Sequence, residues 1–287
     1  MKLSTIRFNG ETYAARQEGE EHVVLDGFSD VGALLQHPEW ADIATSRGGT
    51  RLPSTAVELA PVIPRPGKII CVGANYQTHI EEMGADVPEY PTLFAKYPEA
   101  LIGASDPIDL PVEDELIDWE AELAIVVGTA GRRIPVDAAA AHIAGYSVAN
   151  DISMRGYQFR TMQWLQGKTW ENSTPLGPVM VTPEEMPPAA MIRTVLDGDV
   201  MQESSIDDLL FSPEQLVSYI STILTLNVGD VILTGTPSGV GFGMNPQRFI
   251  KEGSVVETSI EGIGVLRNRA QRQPAVTDST AQSHSMV

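Results

Sequence analysis

Short apolar runs cut by glycine and proline dominate this chain, and helical spacing appears in only a few places. Met1–Phe8 and Glu11–Arg16 alternate weakly on either side of Asn9-Gly10, a dipeptide that suits a tight hairpin turn, and are predicted to pair. Lys68–Gly73, Ile117–Gly128, Gly145–Ile152, Asp230–Thr234 and Ser254–Ile260 read as strands, several of them nearly all apolar and therefore buried. Asp30–Gln36, Asn75–Gly84 and the alanine-rich Asp137–Ile143 read as helices. So does Ser212–Leu224, where Leu216, Tyr219, Ile220, Ile223 and Leu224 repeat with the helical period. The proline-rich Pro61-Val-Ile-Pro-Arg-Pro-Gly67 marks a connection. The expectation is a β-rich α+β chain with a small N-terminal domain over 1–62 and a main domain over 63–270. The polar stretch 271–287 has no periodicity and is expected to be disordered.

Composition narrows the function classes. Acidic residues number 38 against 19 basic, a net charge of −19, which opposes a nucleic-acid or anionic-membrane surface because both need positive charge. The single cysteine, Cys71, rules out an intramolecular disulfide, and its apolar neighbours fit an inert buried thiol. No apolar run is long enough to span a bilayer, and the first residues lack a signal-peptide core, so a cytoplasmic location is expected. Gly167-Lys168-Thr169 ends like a phosphate-binding loop, but Met162 stands where that loop needs its first glycine.

Three places carry candidate chemistry. In Ile117–Val127 every odd position is apolar, so a strand would send Asp118, Glu120 and Glu122 to the other face, about 6–7 Å apart in succession. That face is either solvated or it holds a divalent cation that relieves the repulsion; oxygen-only ligands suit Mg²⁺, Mn²⁺ or Ca²⁺. Asp151, at the end of an apolar strand, is a turn former or a third carboxylate. Tyr76, His79 and Glu82 are spaced to share one helix face, and a carboxylate beside an imidazole orients it as a general base. Of five histidines, only His79 has a structured polar setting. Lys168 lies among glycine, proline and aromatic residues, and Thr236 follows a strand within the glycine-rich Leu233–Gly241. A surface lysine and a plain turn are the alternatives for these last two.

In order along the chain, these segments resemble the fumarylacetoacetate hydrolase family. The stretches that carry the resemblance include Val72-Gly-Ala-Asn-Tyr-x-x-His79, Phe94-x-Lys96, Asp118-Trp-Glu-Ala-Glu-Leu-Ala, Gly145-Tyr-x-Val-x-Asn-Asp151, Gly167-Lys168 and Gly229-Asp-Val-Ile-Leu-Thr-Gly-Thr-Pro237. The resemblance implies a stacked-sheet catalytic domain, a homodimer, and Mg²⁺ or Mn²⁺ (with Ca²⁺ as a substitute) held by Glu120, Glu122 and Asp151. It implies His79, Glu82 and Lys168 as catalytic residues and Arg155, Gln158, Thr236 and Tyr76 as contacts to a 2-oxo acid substrate. The implied reaction is hydrolysis of a carbon–carbon bond in a 2,4-dioxo acid of the acylpyruvate type, through an enolate that the ion stabilises. The same enolate serves decarboxylation or isomerisation of a 2-oxo acid, and a member serving only as a binding protein is a third reading. One departure stands out: relatives commonly have an aspartate after the arginine, where this chain has Gly156. Arg155 is therefore expected to be mobile, or held by an acid from elsewhere.

Overall fold

The computed structural model describes residues 1–273 except Arg47, Met83 and Ala85. The opening hairpin forms as predicted: Lys2–Phe8 pairs antiparallel with Glu11–Glu18, and Asn9 and Gly10 take φ values of 51° and 83°. On its other edge Lys2–Phe8 pairs with Thr174–Val181, so the first strands extend the main sheet. That sheet has 12 strands. From Thr174–Val181 its order runs through Ile143–Asn150, Ala121–Val127, Val231–Leu233 and Ile69–Gly73 to Thr92–Lys96. A second sheet of five strands contains Met191–Leu196, Val255–Ile260 and Gly264–Arg272. The tail expected to be disordered lies, from residue 274, outside the described residues, while Gln271 and Arg272 still belong to the last strand.

Ala121–Val127 shows how the layers are built. Its seven residues are all buried, so neither face is solvated. On the odd face, Ala121 and Leu123 pack with Ile192, Ile260 and Leu266 of the second sheet. Further along, Ile125 and Val127 pack on Leu216, Val217 and Ile220 of the helix Pro213–Ile223. That helix starts where sequence placed it because Ser212 and Gln215 satisfy each other's free backbone N–H groups and Pro213 takes a position that needs no donor. On the even face, Ala124 and Val126 join Leu34 and Leu35 in the largest core cluster. The alanine-rich segment forms a 3-10 helix, Val136–His142, rather than an α-helix. Alanine favours helix, but seven residues barely offset the cost of nucleation, and the tighter turn is stable in short pieces.

Strand Ile117–Gly128 is not continuous. Ile117–Asp118 pairs with Ser153–Met154, whereas Ala121–Val127 pairs with Ile143–Asn150. Between them the buried Trp119 donates its indole N–H to the Gly239 carbonyl at 3.1 Å. The break turns Asp118 out of line with Glu120 and Glu122, which corrects the expectation of three carboxylates in one row.

Sheet direction gathers the chemistry at one end. Ile69–Gly73 and Val231–Leu233 run parallel, and Ala121–Val127 runs against Val231–Leu233. The C-terminal ends of the first two therefore meet the N-terminal end of the third, where Ile143–Asn150 also finishes. Among the described residues no helix is long and apolar enough to cross a membrane.

Candidate active site

Glu120, Glu122 and Asp151 converge at this end of the sheet. One carboxylate oxygen from each lies within 4.8 Å of the others, and all three residues are buried. Backbone pairing fixes two of them: Asp151 donates its N–H to the Glu120 carbonyl at 2.8 Å, and Glu120 donates its own to Asn150 Oδ1 at 2.9 Å. Glu122 accepts from the Gly235 N–H at 2.7 Å.

Three buried cations surround the trio. Lys168 Nζ donates to Glu120 Oε2 at 2.5 Å and to Asp151 Oδ2 at 2.9 Å. Lys96 Nζ donates to Asp151 Oδ1 at 2.6 Å, and Arg155 Nη1 stands 2.7 Å from Glu120 Oε1. Burial would raise the Glu120 carboxyl, but Lys168 and Arg155 bring it down to about 2. Burial also opposes the charge on Lys168, yet Asp151 and Glu120 hold its ammonium above the ordinary range. Glu122 differs. Among the described residues it pairs with no cation, and burial, followed by repulsion from Asp151 and Glu120, pushes its carboxyl well above the ordinary range. A buried acid short of positive charge, in an all-oxygen donor set, fits a hard divalent ion such as Mg²⁺ or Mn²⁺.

Above this floor is a cavity of about 240 Å³. Polar Glu120, Glu122, Lys168, Arg155, Gln158 and Thr236 line it together with apolar Val72, Phe94, Phe159, Trp164, Val240 and Phe242. Trp164 sits edge-on to Phe94 at 5.5 Å, and Gly73 makes room for it, since a Cβ there would lie 2.4 Å from the indole. Thr236 Oγ1 accepts from Gln202 Nε2 at 2.8 Å, which leaves its own hydrogen to donate into the cavity.

His79 lines the cavity from the helix Gln77–Glu82. Its Nδ1 lies 3.1 Å from Glu82 Oε2, and Glu82 also accepts from the Gly239 N–H at 3.0 Å. With Nδ1–H donating to Glu82, Nε2 is the basic nitrogen. Tyr76 does not join them. It precedes the helix, is fully buried among Ala121, Leu123 and Val148, and is absent from the cavity wall, because the chain turns into helix only at Gln77. The shared face expected of Tyr76, His79 and Glu82 is therefore reduced to His79 and Glu82. The Cys71 thiol is fully buried and raised well above its ordinary range by burial, as an inert thiol should be.

Arg155 is held by an acid from elsewhere in the chain. Its Nε and Nη2 donate to Asp118 Oδ2 at 2.9 and 2.7 Å, and Nη1 donates to Gln158 Oε1 at 2.8 Å. The acid from elsewhere is Asp118, which also accepts from the N–H groups of Gly241 and Phe242. Sequence reasoning missed this role of Asp118 and missed Lys96. Lysine scarcity and the Phe94-x-Lys96 stretch were the available signals for Lys96.

Residues 68–271 match the family model described as "Fumarylacetoacetate (FAA) hydrolase C-terminal". The chain is similar to the bovine (Bos taurus) mitochondrial protein named oxaloacetate tautomerase FAHD2A, with 41% identity over 222 residues, 76% of this chain and 71% of that one. Among solved structures it is similar to a fumarylacetoacetate hydrolase from Exiguobacterium antarcticum, with TM-score 0.85, 32% identity, 95% of this chain and all of that one covered (100%). It is also similar to 5-carboxymethyl-2-hydroxymuconate delta-isomerase from Mycobacterium smegmatis, with TM-score 0.79, 35% identity, and coverage of 96% and 100%.

Proposed function

For a chain that belongs to the fumarylacetoacetate hydrolase family, we propose a divalent-metal-dependent enzyme that takes a 2-oxo acid through its enol form, with keto–enol tautomerisation as the primary reaction. The carrying observation is the buried carboxylate trio at the floor of a cavity whose rim holds an imidazole oriented by a carboxylate. Glu120, Glu122 and Asp151 would hold a Mg²⁺ or Mn²⁺ ion, which would supply Lewis acidity that favours the enolate of a 2-oxo acid. Thr236 donates its hydroxyl hydrogen to the substrate carboxylate. His79 Nε2 removes a proton from C3; the C–H electrons become the C2–C3 double bond, the C2–O π electrons move onto the oxygen, and that oxygen takes a proton from water while the imidazolium returns its own to solvent. Glu82 stabilises the imidazolium so formed. Lys168 and Gln158 border the same cavity and favour negative charge developing on substrate oxygen. Arg155 acts by holding Gln158 and Glu120 in place.

A second reading, hydrolysis of an acylpyruvate, is favoured by one observation: apolar residues such as Phe94, Phe159, Trp164 and Phe242 line the same cavity as His79, which suits an acyl group. There His79 takes the proton from water, hydroxide adds to the distal carbonyl, and the carbon–carbon bond breaks with its electrons entering the enol system. The reading includes a homodimer, as the family resemblance implies.

The test uses the Mn²⁺-loaded protein. Enol-oxaloacetate is followed by its ultraviolet absorbance, and acylpyruvates by product analysis. Catalysed loss of the enol signal without pyruvate release supports the tautomerase. Release of pyruvate from an acylpyruvate supports the hydrolase. Tight Mn²⁺ binding with neither activity overturns both.

A further inference from the structure

We propose that Asp114 is a positioning residue for the active site, and that it does so by filling the space a side chain at position 156 would need. Asp114 is buried, 5% exposed, although it lies in an otherwise solvated stretch between Glu113 and Glu115. A carboxylate is costly to bury unless it is hydrogen-bonded, and this one bridges two segments. Its Oδ1 accepts from the Leu116 N–H at 2.8 Å and its Oδ2 from the Tyr157 N–H at 3.1 Å. Alongside, Arg155 donates its N–H to the Leu116 carbonyl at 2.9 Å. The loop 114–116 is thus clamped to the first turn of the helix Arg155–Gln158.

That helix carries two residues of the cavity floor. Arg155 and Gln158 bond each other, and Arg155 reaches Glu120, one of the three carboxylates of the trio. A shift in the turn would move all of these together. Gly156 is the counterpart of Asp114. Its backbone lies outside the positive-φ region, so no conformational demand selects glycine here. Space does: a Cβ at 156 would lie 2.8 Å from both Asp114 carboxylate oxygens and 3.0 Å from Cγ. A carboxylate at 156 would also be driven into a like charge. The acid that supports this turn comes from another segment, and glycine is the residue that admits it. Position 156 acts on the turn and not on substrate shape.

The inference rests on the proposed 2-oxo acid activity, and its test is a double-mutant cycle of Asp114→Gly, Gly156→Asp and the two combined. Each is assayed on enol-oxaloacetate and an acylpyruvate, with thermal unfolding in parallel. Each single substitution is expected to lower kcat by about tenfold or more, from loss of charge-assisted bonds to the turn. The combined variant is expected to return to within about threefold of the parent, because the two positions share one space and couple. A combined loss equal to the product of the single losses overturns the proposal. So does Asp114→Gly that lowers Tm but leaves kcat and KM unchanged, since the residue would then be structural only. If Gly156→Asp does not fold, recovery of folding and turnover in the combined variant supports the proposal, and failure to recover overturns it. If the parent turns over neither substrate, the functional reading has failed. The same cycle is then read by calorimetry of pyruvate binding to the Mn²⁺-loaded protein, where coupling supports the Asp114–Gly156 pair and additivity overturns it.

Discussion

The floor and the rim of the cavity are built on opposite terms. The floor is three carboxylates among three cations, all buried, at strand ends whose register fixes the backbone. The rim is a six-residue helix whose His79 and Glu82 side chains are 16% and 26% exposed. Besides the buried Ile80, it is tied to its surroundings through Gly239 N–H to Glu82 and Thr78 to Asp208. Removing one partner of a buried ion pair leaves the other charge uncompensated, so Glu120, Asp151 and the cations that pair with them are needed for the fold as well as for chemistry. Rim residues keep contact with water, so their loss should cost activity and leave the fold nearly untouched. Stability and activity are therefore separable at the rim and inseparable among the paired charges of the floor.

The sharpest way to break this contrast is Lys96→Met. It leaves Asp151 short of a buried cation and is expected to destabilise the metal-free fold by about 3–5 kcal/mol. Denaturant unfolding in the presence of a chelator measures this, and an unchanged midpoint would mean that the floor is not charge-locked. Next is His79→Ala, expected to lower turnover by about 10²–10⁴-fold while Mn²⁺ affinity and Tm stay close to the parent. Loss of Mn²⁺ binding in calorimetry would place His79 on the floor's side of the contrast, as a ligand. Third, saturating Mn²⁺ should stabilise the parent by about 2.7 kcal/mol at a hundredfold excess over Kd. Glu122→Gln should abolish that gain, since Glu122 is the acid without a cation. An equal gain in both proteins would remove Glu122 from the ion site. The smallest effect is expected for Glu82→Gln, which keeps the shape and removes a charged bond of about 1.5–3 kcal/mol, or about 10–100-fold in turnover. A loss as large as that of His79→Ala would give Glu82 a role of its own beyond orienting the imidazole.

Local patterns in the chain read well wherever one physical rule decided the outcome. The Asn9-Gly10 hairpin and the capped helix at Pro213 follow from turn and capping chemistry within a few residues. Period-two alternation put Glu120 and Glu122 on one face, and they are. The same rule failed for Asp118, because Ile117–Asp118 changes pairing partner at Trp119 and alternation does not survive a change of sheet. Helical spacing likewise failed for Tyr76, since the helix begins one residue later.

By itself the sequence determined the family and the β-rich architecture, and it named candidate site residues, because ordered motifs and short-range periodicity are written in neighbouring residues. Tertiary structure alone decided which charge answers which. Lys96 meets Asp151 across 55 residues, Lys168 meets Glu120 across 48, and Asp114 reaches Tyr157 across 43. Each of these contacts depends on bringing distant segments together and on the burial that makes an unpaired charge costly, and no local window of the chain contains either.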